Sequence, residues 1–160
     1  DKVAINTAAT EDPSLITALT NRFGSQAVVL SVEAKRRGAT SAGGWEALTN
    51  NGRDHSGRDV VDWARQAVEL GAGEILITSV DQEGTRKGFD IDLVAAVCGA
   101  VNVPVVASGG MGCVDDIVTL TQASSVDGVA IADMLHYRRT TVGDIRADCR
   151  ARSVPVRLVG

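Results

Sequence analysis

Residues Pro104–Gly112 read PVVASGGMG. Val105 to Ser108 form a short, mostly apolar run of the kind that makes a buried strand. The run ends on Gly109, Gly110, Met111 and Gly112. Each glycine costs backbone entropy, so three in four positions need a reason. One reason is a tight turn into the next helix. The other is close approach of a ligand to the backbone, and phosphate is the usual candidate. Glycine-rich turns between strand and helix are common, so the surrounding chain has to decide.

Working outward, the same unit recurs. Val3–Asn6 reads as a strand, and EDPSLITALTNRFG follows as a helix with Asp12 as N-cap, Pro13 in the first helical position and Gly24 past its end. Ala27–Glu33 is a second strand, and DVVDWARQAVELG an amphipathic helix stopped by Gly71. EILITS (Glu74–Ser79) is followed by DIDLVAAVCGA. PVVAS is followed by a helix near Val114–Ala123. GVAIA (Gly128–Ala132) is the fifth strand, and Thr141 opens a last helix to about Ala151. One connection breaks the rhythm. RRGATSAGGWEALTNNGRDHSG is long and polar, and its Asn-Gly step predicts a small hairpin. Repeated strand–helix units imply one α/β domain, residues 1–160, with a parallel sheet. A doubly wound sheet and a (β/α)₈ barrel both satisfy this pattern, although five strands are too few for a full barrel.

The composition agrees. The chain has 160 residues, 44% hydrophobic and 22% charged, so it can bury a real core. Aromatic residues are only 3%, which makes the core aliphatic and suits buried parallel strands. The net charge of -4, with no basic tract, argues against a nucleic-acid partner. No apolar run is long enough for a membrane span. Cys98, Cys113 and Cys149 are odd in number and widely spaced, which points to a reducing, cytoplasmic setting.

In either architecture the chemistry sits at the carboxyl ends of the strands. Those ends carry Asn6 and Thr7; Glu33 and Lys35; Thr78, Ser79, Asp81, Gly84 and Thr85; SGGMG; and Asp133. Each residue can be explained as turn chemistry. Together, around one carboxylate, they describe a polar ligand site.

The stretches DKVAINTAA, AKR, GAGEILITSVDQEGTRKGFD, PVVASGGMG and the closing VPVRL resemble the cyclase subunit of imidazole glycerol phosphate synthase, of histidine biosynthesis. The resemblance runs over essentially the whole chain and implies a (β/α)₈ barrel. This chain would be a partial barrel, from the fourth strand onward: five parallel strands with helices outside, completed by self-association into a homo-oligomer. The family takes a substrate with a phosphate at each end and ammonia from a glutaminase partner, without cofactor or metal. It forms imidazole glycerol phosphate and an aminoimidazole carboxamide ribotide.

Carried over residue by residue, the resemblance assigns one phosphate site to Gly84, Gly109, Gly110, Ala132 and Asp133. Asn6 and Thr7 match half of a second. Thr78 and Ser108 match pocket positions. Lys2 and Glu74 match a charged ring where ammonia enters, and Asp1 an interface with the glutaminase. The family's catalytic pair is two aspartates. The first-strand aspartate has no counterpart here, and Glu33 stands at the other position, so inactivity of the chain alone is expected. Glu33 can equally be a structural carboxylate paired with Lys35 or Arg36. Asp133 is a second departure, because a carboxylate beside a phosphate needs a cation or must point away. Two alternatives remain: an amidotransferase subunit of surface-polysaccharide sugar synthesis, and a non-catalytic phosphate-binding half-barrel. His55 and His136 read as non-catalytic, Trp63 as core, and Trp45 as a cover for the site or exposed.

Overall fold

The computed structural model describes residues 1–38 and 43–157. The centre of the long polar connection and the end of VPVRL lie outside the described residues. Seven strands form one sheet. Five of them run parallel in the order β1 (Val3–Ile5), β2 (Val28–Arg36), β5 (Glu74–Ser79), β6 (Val105–Ser108) and β7 (Gly128–Ala130). The hairpin of β3 (Trp45–Thr49) and β4 (Asp54–Asp59) joins the same sheet. The helices are α1 (Thr7–Glu11), α2 (Ser14–Phe23), α3 (Val60–Glu69), α4 (Ile91–Cys98), α5 (Val114–Ala123), α6 (Asp133–His136) and α7 (Val142–Ala151).

Strand alternation divides the sheet into two unlike faces. Leu30, Val32, Ile75, Ile77, Val105 and Ala107 are buried against Ile16, Trp63, Ala64, Leu93, Val97, Ile117 and Leu120 of the helices. Burial of each large aliphatic side chain contributes about 1.5–3 kcal/mol. The opposite face carries Ser31, Glu33, Leu76, Thr78, Val106 and Ser108, all half-buried, and Val29, which is buried. The sheet does not close on itself, since β1 pairs only with β2 and β7 only with β6.

Local signals account for the helix starts. The Asp59 carboxylate accepts from the N–H groups of Val61 and Asp62, and Asp90 caps α4 through Leu93 N–H. Thr141 and Asp144 form a reciprocal cap on α7. Asp12 Oδ1 accepts from the Ser14 N–H, and α2 begins at Ser14 rather than Pro13.

Several elements differ from the sequence reading, among them the short helix α6, where none is expected, and β7, which stops at Ala130. The residues after Asn6 form the short helix α1, where only a strand end is expected. Strand β2 runs on to Arg36 instead of stopping at Glu33, because its last four residues pair antiparallel with β3. Strand β1 lies on that same side of β2 but pairs only with Val28–Leu30, which leaves the upper half free for the hairpin. The hairpin is thus a further part of the sheet.

Candidate functional site

Parallel register places Glu33, Thr78, Ser108 and Ala130 side by side, one from each of β2, β5, β6 and β7. This row is the last layer on the face away from the helices, at the carboxyl ends of the strands. A cavity of about 350 Å³ lies over it, lined by Glu33, Thr78, Ser108, Glu83 and the hairpin-turn residues Asn51 and Gly52. A larger cavity, about 680 Å³, lies elsewhere, between α5, α7 and the C-terminal tail, and holds none of the row. Size does not locate the chemistry here; convergence of polar strand ends does.

Glu33 is held by the neighbouring strand. Asn6 Nδ2 donates to Glu33 Oε2 at 3.1 Å and to the Leu48 carbonyl at 3.3 Å. One amide therefore connects β1, the carboxylate on β2 and the hairpin. Thr7 Oγ1 accepts from the Asn50 N–H at 3.0 Å. Neither Lys35 nor Arg36 pairs with Glu33, so the structural ion pair considered for it does not form. Lys35 pairs with Asp81 at 3.0 Å, and Arg36 with Asp90 at 2.8 Å. Partial burial pushes the Asp81 carboxyl up, but the Arg36 N–H and the Lys35 ammonium outweigh it and hold the group below its ordinary value.

Beside the row lies a smaller cradle, lined by Gly84, Gly109, Gly110, Ala132 and Asp133 and sharing Ser108 and Glu83 with the cavity over the row. The N–H groups of Gly84, Gly110 and Ala132 donate to no hydrogen bond among the described residues. The two glycines that matter most differ in what they face. Gly110 has φ +102, and a Cβ there would lie inside the Gly88 carbonyl, whose residue donates its N–H to Gly110 O at 2.9 Å. Gly84 has φ +69, and a Cβ there would meet nothing within 4 Å. Glycine at 110 is therefore required by loop-to-loop packing. At 84 the position faces open space, next to an N–H with no partner among the described residues. Asp133 meets cations, as a carboxylate in this place must, with Arg86 and Arg139 each 3.8 Å away.

At the opposite ends of the strands, Lys2 Nζ and Glu74 Oε2 form a 2.5 Å ion pair between the starts of β1 and β5. Asp1 is exposed next to it.

The sequence has counterparts among known proteins. The family model described as "Histidine biosynthesis protein" matches residues 1–141. The chain belongs to the histidine biosynthesis protein family. A relative from Legionella pneumophila, "Imidazole glycerol phosphate synthase subunit HisF", is 65% identical over 112 residues, which is 70% of this chain and 51% of the relative. Proteins of the same name from Thermobifida fusca (strain YX) and Lactococcus lactis subsp. lactis (strain IL1403) are 45% and 42% identical over 159 residues. Those matches cover 98% and 99% of this chain, and 62% and 61% of the relatives. The chain thus spans between half and two thirds of the length of these family members.

Several residues at the candidate site escape a reading by sequence. Asn51 and Gly52 reach the cavity because the hairpin joins the sheet. The Asn-Gly signal announces the turn but not its destination. Arg86 and Arg139 come to the cradle from two different connections. Trp45 neither covers the site nor lies exposed. It is 8% exposed, donates its indole N–H to Asp90 Oδ2 at 3.0 Å and stacks under Arg36 at 4.8 Å. Trp63 is in the core, as expected. His55 pairs with Glu46 on the hairpin, and His136 packs on Tyr137. Among the described residues no group of three or more His, Cys, Asp or Glu side chains could hold a metal ion, and no helix is long and apolar enough to cross a membrane.

Proposed function

We propose that this chain carries the later part of a cyclase barrel that uses ammonia to convert a two-phosphate ribulosyl aminoimidazole carboxamide intermediate to imidazole glycerol phosphate. The observation that supports it most is the row of Glu33, Thr78 and Ser108 beside the glycine cradle, in a chain of this family. Glu33 acts as the general acid or base, oriented by Asn6. Gly84, Gly110 and Ala132 offer backbone N–H groups to one phosphate, and Gly109, packed against the Ser79 carbonyl, shapes the turn that presents them. Asn6 and Thr7 lie where a second phosphate would bind, and Thr78 and Ser108 line the space between. Lys2 and Glu74 guard the end at which ammonia from a glutaminase subunit enters, with Asp1 at that interface.

Of the two strand-end carboxylates that such chemistry uses, the described residues supply Glu33, while Glu83 on the loop after β5 also lines the cavity; we expect the chain alone to be inactive. Its two open edges are completed by another copy of the chain, as a homo-oligomer, or by the remaining strands of a cyclase. Glu33, longer by one methylene than the family aspartate, favours a second reading: an amidotransferase subunit of surface-polysaccharide sugar synthesis.

The test supplies the first three strands of a HisF relative by co-expression and assays the complex with ammonia and the two-phosphate substrate. Turnover is expected, together with loss of about 10²–10⁴-fold in Glu33→Gln, the worth of a positioned acid or base. Equal turnover with glutamine at this position sinks the role of Glu33. Turnover of a sugar nucleotide instead moves the assignment to the second reading.

A further inference from the structure

The cradle contains a charge that a phosphate site does not need. Asp133 lines it, and its Oδ2 is sealed from solvent with no hydrogen bond among the described residues. Arg86 Nε and Arg139 Nε flank that oxygen at 3.8 Å each. This is too long for a hydrogen bond, so charge alone holds the carboxylate. The two arginine side chains remain 46% and 41% exposed, with the Arg139 guanidinium over the Tyr137 ring at 5.2 Å. The open space is about 20 Å³, roughly what a single water needs. A phosphate group is larger, so part of the lining must yield. Gly109 and Gly110 are pinned, because their backbone is packed against Ser79 and Gly88. The Asp133 carboxylate is the group with no hydrogen bond to lose.

We propose that Asp133 is a specificity-determining residue: an internal anion that occupies the place of a phosphate between Arg86 and Arg139. The inference rests on reading the cradle as a phosphate site. On binding, the carboxylate swings out to solvent and the two guanidinium groups pass to the phosphate, with which they form shorter, charge-assisted hydrogen bonds. Free inorganic phosphate must displace Asp133 unaided. A phosphate ester whose body also fills the cavity over Glu33 and Thr78 has further binding energy with which to open the cradle. The device thus discriminates a substrate phosphate from phosphate ion.

The test titrates inorganic phosphate into the full chain and follows the amide signals of Gly84 and Gly110. Wild type, Asp133→Asn, Asp133→Ser and the charge-matched control Asp62→Asn are compared, each checked for folding by thermal melting. At least tenfold tighter binding is expected in both Asp133 variants and none in Asp62→Asn. Adding Arg139→Gln to Asp133→Asn should reverse the gain. Binding no tighter than wild type in either folded Asp133 variant, or an equal gain in Asp62→Asn, overturns the proposal. No response of Gly84 and Gly110 in any of the proteins overturns the phosphate reading itself, and this inference with it.

Discussion

Replacing Gly110 by alanine should cost far more than the same change at Gly84. At Gly110, φ is +102, and an L-residue held at positive φ pays about 1–2 kcal/mol. The new methyl group would also lie inside the Gly88 carbonyl, so the two loops must part. That breaks the bond from Gly88 N–H to Gly110 O, worth about 0.5–1.5 kcal/mol net. The sum is about 1.5–3.5 kcal/mol before any repacking, a large share of the roughly 5–15 kcal/mol that holds a domain together. At Gly84 only the backbone contribution remains, about 1–2 kcal/mol, because the methyl meets nothing within 4 Å. Urea unfolding reads both, as midpoint shifts at unchanged m. Phosphate titration of the same two variants separates packing from ligand binding, since an added methyl at Gly84, φ +69, strains the turn that carries its unused N–H. Gly84→Ala should fold and lose phosphate, whereas Gly110→Ala should lose both. Equal stability losses in the two variants would refute this division of roles.

Trp45→Phe removes the indole donor from a buried carboxylate, and about 1–3 kcal/mol of stability should go with it; a urea midpoint unchanged within about 0.3 kcal/mol would show that Asp90 needs only Arg36 and the Leu93 N–H. Acid should loosen the hairpin and the end of β2 together. The hydrogen bond with His55 and the Gly57 N–H hold the Glu46 carboxyl below its ordinary 4.5, and Asp81 also lies below its ordinary 3.8. Both groups are more acidic folded than unfolded, so their stabilisation is complete above those ordinary values and fades as pH falls through the folded ones. Denaturation midpoints should therefore be flat from pH 7 to about pH 5 and drop below about pH 4.5; a midpoint that holds or rises on acidification counts against these contacts.

The parallel order was legible because each strand is short and apolar and each helix carries its own start signal, such as Asp59, Asp90 and Thr141. Polar residues at strand ends announced the row of Glu33, Thr78 and Ser108. Pairings across long separations left no local trace. Asn6 reads as a strand-end amide, yet its partners are Glu33 and Leu48, distant in sequence. The segment EAKR looks like the polar exit from a strand. It is a strand with a partner on each side at Glu33 and Ala34, because the hairpin returns to pair with it. Trp45, in a polar glycine-rich stretch, gave no hint that a buried carboxylate awaited it at the cap of α4.

Core and site obey one constraint. The alternation that sends Leu30, Val32, Ile75, Ile77, Val105 and Ala107 into the helix layer also sends Ser31, Glu33, Leu76, Thr78, Val106 and Ser108 to the other face. A slip of one residue in β5 against β2 would bury Thr78 among the helices and turn Ile77 toward the cavity. The apolar cost of such a slip falls on several fully buried side chains at once, so helix packing fixes the register that lines up the polar row. The hairpin then fixes what register cannot. It approaches Glu33 through Leu48, and Asn6 joins both to β1 with a single amide. A carboxylate on a strand has freedom about its side-chain torsions, and Asn6 Nδ2 is the group that restricts it. Asn6 therefore contributes to the site by orienting Glu33, whatever its backbone offers to a phosphate.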